Sequence, residues 1–485
     1  MRRASLALVC FVALLAVVQQ LRAAEPKPPY ICFFLVDDLG SRDVGFAGGT
    51  EIPTPNIDAI AREGAILEQF YVMPVCTPTR AAFLTGRYPI RYGLQTDVIN
   101  PPEPYGLPVE ERTLAQALKE LGYATAIVGK WHLGFHDPKW LPTRRGFDTH
   151  YGHYNGAIDY FTHERDGGFD WHRDEQTNRD EGYATTLIAD EAVRIVENAD
   201  ASKPLFLYVP FNGVHDPLQA PEDRLAKYAH LTPPGRAKMA AMLDVVDESI
   251  GRVREAFAQR GFDQNVVYLF STDNGGPKPG QVTDNGQFRA GKGTLYEGGV
   301  RSCAAISWKD RIPAGGRVQA PMHVVDLYPT LLKIAGGSLE QELPPGERQL
   351  PLDGRDVWPC IVEHAASPHE DILINAENHR GALRKDEWKL IVFERADAGR
   401  RGRGRANRQA PKGGRQAAPA DERTIELYDL AHDVGEKNDV ADEHPEIVAD
   451  LLDRYERYLA ESVPALDLAG IEPVPKQKVW GEVSE

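Results

Sequence analysis

The stretch YICFFLVDDLG occupies residues 30–40 and changes character in its middle. Tyr30 to Val36 is an unbroken apolar and aromatic run, and Asp37 and Asp38 end it. A strand with one wet face alternates apolar with polar residues, whereas a strand covered on both faces does not. The run therefore predicts a central strand with carboxylates at its exit. Three other stretches have the same form. YATAIVG (123–129) runs into Lys130, PLFLYVPF (204–211) approaches His215, and VVYLFS (266–271) stops just before Asp273 and Asn274. Helical periodicity lies between them. TLAQALKEL (113–121) places Leu114, Ala117, Leu118 and Leu121 on one face, and residues 239–257 do so with Met239, Met242, Leu243, Val246, Ile250, Val253 and Phe257. This alternation predicts an α/β fold whose large mixed, mostly parallel sheet is sandwiched by helices. Such sheets bind ligands at the carboxyl ends of their strands.

A chain of 485 residues favours one large domain with a smaller one attached. After residue 365 the pattern changes. EWKLIVFE (387–394) and IELYDL (425–430) read as paired strands. Ile447, Val448, Leu451, Leu452, Tyr455 and Leu459 mark an amphipathic helix that opens at Pro445. The expected organisation is a signal peptide over 1–24, a catalytic domain over 25–365 and a smaller C-terminal α+β domain over 366–485, with an antiparallel sheet and one helix. Residues 395–420 interrupt the strand pair with eight Lys/Arg and one Asp. Their composition reads as a disordered hairpin extension, with a polyanion-binding loop as the alternative.

Arg2 and Arg3, the apolar run Leu6 to Val18, and Ala23-Ala24 have the layout of an export signal, and the run is short for a membrane span. The expected location is periplasmic or extracellular, with no integral membrane anchor. Formal charge is -16, and residues 1–24 hold three arginines and no acid, so the remainder carries -19. Such a chain is a poor partner for nucleic acid, and an anionic substrate needs a local positive site. Of the five cysteines, Cys10 falls in the signal; Cys32, Cys76, Cys303 and Cys360 are widely spaced, unlike a disulfide scaffold.

Asp37, Asp38, Asp273 and Asn274 form an oxygen-rich set that suits a hard divalent cation such as Ca²⁺ or Mg²⁺, although Asp and Asn are also common in strand-end turns. GKWHLG (129–134) places Lys130 and His132 two residues apart, on one side of an extended chain. Lys offers fixed charge and His transfers protons near neutral pH. His215 and Lys292 are weak signals singly and gain value by converging with the acidic set. In PVCTPTRAAFLTGRYPIRYGLQ (74–95), Cys76 sits on a stiff polar turn with Pro78 and Arg80. That setting fits a reactive cysteine better than a structural one. Residues 97–110 and 150–182 are candidate pocket walls; His150, His153, Tyr154, Asp159, His163, Trp171 and His172 lie there, and a packed surface loop fits them equally well.

Together these residues resemble the type I sulfatases of the alkaline-phosphatase-like superfamily. CTPTR (76–80) matches their Cys-x-Pro-x-Arg signature, extended by LTGRYP (84–89). LVDDLG, GKWHLG, LPTRRGFDT, FSTDNGG, YEGGVR and EWKL look like the arylsulfatase B, or N-acetylgalactosamine-4-sulfatase, group. The chain departs from that group in lacking the animal enzymes' disulfide cysteines and in carrying the insertion at 395–420. The resemblance implies that Cys76 is oxidised to formylglycine by a formylglycine-generating enzyme, whose hydrated aldehyde attacks sulfur and carries the sulfate covalently. It implies one cation held by Asp37, Asp38, residue 76, Asp273 and Asn274, with Ca²⁺ ahead of Mg²⁺. Asp273 would accept the proton of the attacking hydroxyl. Arg80 and Lys130 would anchor residue 76, and Lys130 and Lys292 would neutralise the sulfate. His215, assisted by Lys292, would protonate the leaving oxygen. His132 would take the proton that lets sulfate depart. The implied substrate is a sulfated carbohydrate, 4-sulfated galactose or N-acetylgalactosamine in a glycosaminoglycan or algal polysaccharide. A phosphodiesterase or phosphonate monoester hydrolase of the same superfamily, and an idle sulfated-glycan-binding protein, are the alternatives.

Overall fold

The computed structural model describes residues 27–339, 350–377, 380–394, 423–468 and 470–482. The expected signal peptide (1–24) and the insertion (395–420) lie outside the described residues. Tyr30–Val36 is a central strand. It pairs in parallel with Val266–Thr272 on one side and with Leu205–Pro210 on the other. Ala124–Lys130 and Thr149–His153 extend the parallel set outward from Leu205–Pro210. Beyond Val266–Thr272 the sheet turns mixed: Arg301–Trp308 pairs antiparallel with it and with Ala65–Tyr71. Among the described residues the sheet has eleven strands.

The apolar run is continuous because both faces of the strand are covered. Ile31, Phe33 and Leu35 point into one hydrophobic cluster, which they share with the helices Cys76–Thr85, Leu114–Glu120 and Leu327–Ile334. Cys32, Phe34 and Val36 point into the opposite cluster, with Pro55–Glu63, Ala184–Glu197 and Pro234–Gln259. Alternate residues thus serve opposite layers, and no position remains for a polar side chain.

The second unit is a four-stranded antiparallel sheet, in the order Ile372–Ala376, Arg380–Lys385, Trp388–Glu394, Arg423–Asp429. The last two strands pair from Trp388↔Asp429 to Glu394↔Arg423. The helix Pro445–Ala460 buries Leu451 and Tyr455. Its residues belong to the same hydrophobic cluster as Leu84 and Tyr88 of the larger unit, so the two units share one core. No helix among the described residues is long and apolar enough to cross a membrane.

Candidate active site

Parallel pairing brings the exits of Tyr30–Val36, Ala124–Lys130, Leu205–Pro210 and Val266–Thr272 to one edge, where Val36 aligns with Thr272 and Leu35 with Pro210. Cys76 reaches that edge as the first residue of the buried helix Cys76–Thr85. CTPTR is therefore not a free-standing turn but a helix start. Pro78 fits there because first-turn N–H groups have no intrahelical acceptor. The polar side chains of this turn bind two strand exits, those of Ala124–Lys130 and Val266–Thr272. Thr77 Oγ1 donates to the carbonyl of His132 (3.1 Å) and accepts from the Ile99 N–H (3.2 Å). Thr79 Oγ1 donates to the carbonyl of Asp273 (2.6 Å) and accepts from the Met73 N–H (3.0 Å). Arg80 donates from Nη1 to the Lys130 carbonyl (3.2 Å) and from Nη2 to Asp273 Oδ2 (2.7 Å).

Acid and base alternate around Cys76. Lys130 Nζ is 2.5 Å from Asp37 Oδ2, and Arg80 Nη2 is 3.5 Å from the same oxygen. Lys292 Nζ is 2.6 Å from Asp38 Oδ1, and His215 Nε2 is 3.6 Å from Asp38 Oδ2. Cys76 Sγ lies 3.5 Å from Asp37 Oδ1 and 3.4 Å from Asn274 Oδ1. Burial and the nearby Asp273 push Asp37 up to about 7, against the pull of Lys130. Burial would raise Asp38 as well, but Lys292 and His215 outweigh it and hold that carboxyl well below its ordinary value. Burial, Asp273 and Asp37 push the Cys76 thiol far above its ordinary value. A thiol in this place is neutral at pH 7 and a poor nucleophile.

Asp37, Asp38, Cys76 and His215 each offer a donor atom, and these atoms lie within 4.8 Å of one another. With Asn274 Oδ1 beside the sulfur, the set is rich in oxygen donors, which fits a hard divalent cation. His215 joins this group in addition to its expected partners. Asp273 stands behind it: Arg80 holds Oδ2, and Oδ1 accepts the Asp38 N–H at 3.3 Å.

The extended chain expected from Lys130 to His132 is not found, although both residues stay at the site. The strand ends at Lys130, and His132 has φ 60°, so the chain is not extended there. Asp38 has the same left-handed backbone, φ 60°; such strain in non-glycine residues gathers at working sites. His132 Nε2 lies 3.1 Å from the carbonyl of Ile99, which can only accept, so Nδ1 keeps its lone pair. Nδ1 is buried without a hydrogen-bond partner among the described residues. Burial, with Lys130 and Arg80 nearby, keeps this ring neutral. His215 lies with Nδ1 2.6 Å from the Asp216 carbonyl, and burial and Lys292 lower its pKa to about 3.

The candidate wall at 150–182 is largely packed. His150, His153, Tyr154, His163, Trp171 and His172 are buried, with His163 stacked on Trp171 at 4.5 Å and Tyr154 on His172 at 4.2 Å. Sequence reasoning missed Thr77 and Thr79. Their signal was the hydroxyl at both variable positions of CTPTR.

A sequence model of the family described as Sulfatase matches residues 29–338. Arylsulfatase J of Mus musculus is 35% identical over 479 residues, 91% of this chain and 77% of that protein. The chain belongs to the sulfatase family. The N-acetylgalactosamine-6-sulfatase of Canis lupus familiaris is 33% identical to this sulfatase over 364 residues, 70% of the chain and 67% of that protein. The solved structure of Ps i-CgsB in complex with k-i-k-neocarrahexaose has a TM-score of 0.76 and 28% identity, covering 90% of this sulfatase and 94% of that chain. The fold is that of the type I, alkaline-phosphatase-like sulfatases, and the activity is sulfate-ester hydrolysis.

Proposed function

We propose that this sulfatase works outside the cytoplasm on a sulfated carbohydrate, removing sulfate from 4-sulfated galactose or N-acetylgalactosamine units of a glycosaminoglycan or algal polysaccharide. The observation that carries the reading is the setting of Cys76: buried at a helix start, held between carboxylates and the cations Arg80, Lys130 and Lys292, and far too basic to serve as a thiolate. Oxidised to formylglycine, residue 76 would offer two hydroxyls on one carbon in place of that thiol. A Ca²⁺ ion held by Asp37, Asp38, Asn274 and residue 76, with Asp273 beside them, would polarise sulfate oxygens and acidify the attacking hydroxyl. Arg80 and Lys130 hold this side of the site rigid, and Lys130 and Lys292 attract the sulfate against the negative net charge of the chain. Asp273 accepts the first proton. His132 accepts the second at Nδ1, the nitrogen that Ile99 leaves free. His215 and Lys292 flank Asp38 and would hand the proton to the leaving oxygen, His215 only in its protonated form, because the neutral ring keeps its hydrogen on Nδ1 against the Asp216 carbonyl. The galacto sugar draws support from the neocarrahexaose in complex with Ps i-CgsB and from the N-acetylgalactosamine in the name of the canine 6-sulfatase, while the 4-position rests on the resemblance of the motifs to the arylsulfatase B group.

The test is sulfate release from a panel of galactose, N-acetylgalactosamine and glucosamine sulfated at single defined positions, with phosphate monoesters and diesters in parallel. Turnover led by the 4-sulfated galacto sugars is expected. Turnover confined to 6-sulfates, or faster hydrolysis of phosphate esters, contradicts the substrate assignment.

A further inference from the structure

Lys292 stands in a segment fastened to the C-terminal unit along its length. Arg289 Nη1 donates to Tyr428 OH (2.9 Å) and to the Glu436 carbonyl (2.7 Å). Tyr296 OH donates to Glu426 Oε2 (2.8 Å), and Glu297 Oε1 accepts from Lys389 Nζ (2.8 Å). Between these anchors, Arg380 Nη1 donates to the carbonyl of Gly293 at 3.0 Å. Gly293 directly follows Lys292, and its N–H donates to the carbonyl of Pro74 at 2.8 Å, two residues before Cys76. Gly293 is therefore tied to the Cys76 turn on one side and to the C-terminal sheet on the other. Arg380 is itself oriented: its Nε donates to Glu377 Oε1 at 3.0 Å, and the Glu377 side chain is fully buried. The same oxygen accepts from Asn375 Nδ2 (2.9 Å), which also donates to the Gln95 carbonyl (3.0 Å).

We infer that Arg380 is a positioning residue for sulfate transfer: by clamping the Gly293 carbonyl it fixes the backbone from which Lys292 reaches Asp38 and the ester. The inference rests on the proposed role of Lys292. Arg380 touches no reacting atom. Glycines at 291 and 293 give the segment little stiffness of its own, so its course depends on outside anchors. The guanidinium fork serves two partners at fixed angles, Glu377 through Nε and Gly293 through Nη1, which an ammonium does not reproduce.

A double-mutant cycle tests this. Steady-state kinetics would compare the wild type, Arg380→Ala, Arg380→Lys, Lys292→Ala and the Arg380→Ala/Lys292→Ala double variant on one sulfated sugar, well below the Tm of each protein. Loss of alignment by about 1 Å lowers rate about a hundredfold, so a fall in kcat of about ten- to a hundredfold is expected for Arg380→Ala, with only partial rescue by lysine. The double variant should be no slower than Lys292→Ala, because the clamp then has nothing to align. Penalties that multiply in the double variant overturn the role of Arg380 and leave Lys292 standing. Undiminished kcat in Lys292→Ala overturns both. If Arg380→Ala does not fold, Glu377→Gln takes its place in the cycle: it should lower kcat in the same direction, and its penalty should likewise vanish beside Lys292→Ala.

Discussion

At the scale of single residues, the site depends on side chains that bridge strand exits. Thr79 joins the Asp273 carbonyl to the Met73 N–H across the helix start. Thr79→Val keeps the shape and leaves both groups buried without a partner, so a stability loss of about 1–3 kcal/mol is expected by urea denaturation, with reduced turnover. The acidic cluster gives a second prediction. Three carboxylates, Asp37, Asp38 and Asp273, are crowded in the interior, and a bound cation relieves that crowding. Stripping with a chelator should lower both Tm and activity, and Ca²⁺ should restore both better than Mg²⁺. Much of this scale was legible beforehand, because Asp, Lys, His and Asn at apolar strand ends are chemically conspicuous. The left-handed backbone at His132 was not, since nothing in GKWHLG marks the end of the pleat. Nor was Arg380, which acts through a backbone carbonyl from 87 positions away in the chain.

At the scale of elements, local chemistry and tertiary cover agree. Leu114–Glu120 is short for an isolated helix, and Thr113 supports it with a full capping box: the Gln116 N–H reaches Thr113 Oγ1, and the Gln116 side chain reaches back to the Thr113 N–H. Thr113→Ala should cost about 1 kcal/mol in urea denaturation and leave kcat unchanged. The central strands were readable because double cover forbids polar positions. Short strands such as His172–Arg173 and Gln176–Thr177 were not, since two residues carry no periodicity. CTPTR carries no apolar periodicity that marks a helix, yet Pro78 is tolerated because it lies in the first turn of Cys76–Thr85.

At the scale of the whole molecule, the C-terminal unit is built into the catalytic one. Lys389, in the EWKL stretch, is buried between Glu297 and Glu436 at 2.8 Å from each, and the shared core surrounds Tyr455 and Tyr88. The sequence showed two styles of chain but not this continuity, which depends on contacts between distant segments. Buried neutral histidines contribute to the acid sensitivity of the assembly. Burial lowers His150 and His323 to about 3, from an ordinary 6.5. The unfolded chain therefore binds more protons than the native one between pH 6.5 and 3, and stability falls as pH drops through that window, by about 1.4 kcal/mol per unit for each such imidazole. His323 Nδ1 accepts the Val325 N–H at 3.3 Å, a bond that protonation breaks. Asparagine keeps an acceptor without titrating, so His323→Asn should show a smaller drop in urea midpoint between pH 6.5 and 5 than the wild type.

The central claim is that residue 76 turns this fold into a sulfate-releasing enzyme, and sulfate release by the wild type and by Cys76→Ala from the same 4-sulfated galactoside tests it most directly. Protein from a host that oxidises the cysteine should release sulfate steadily, while Cys76→Ala falls to background, a loss of at least about a thousandfold. Equal release by the two proteins would contradict the account.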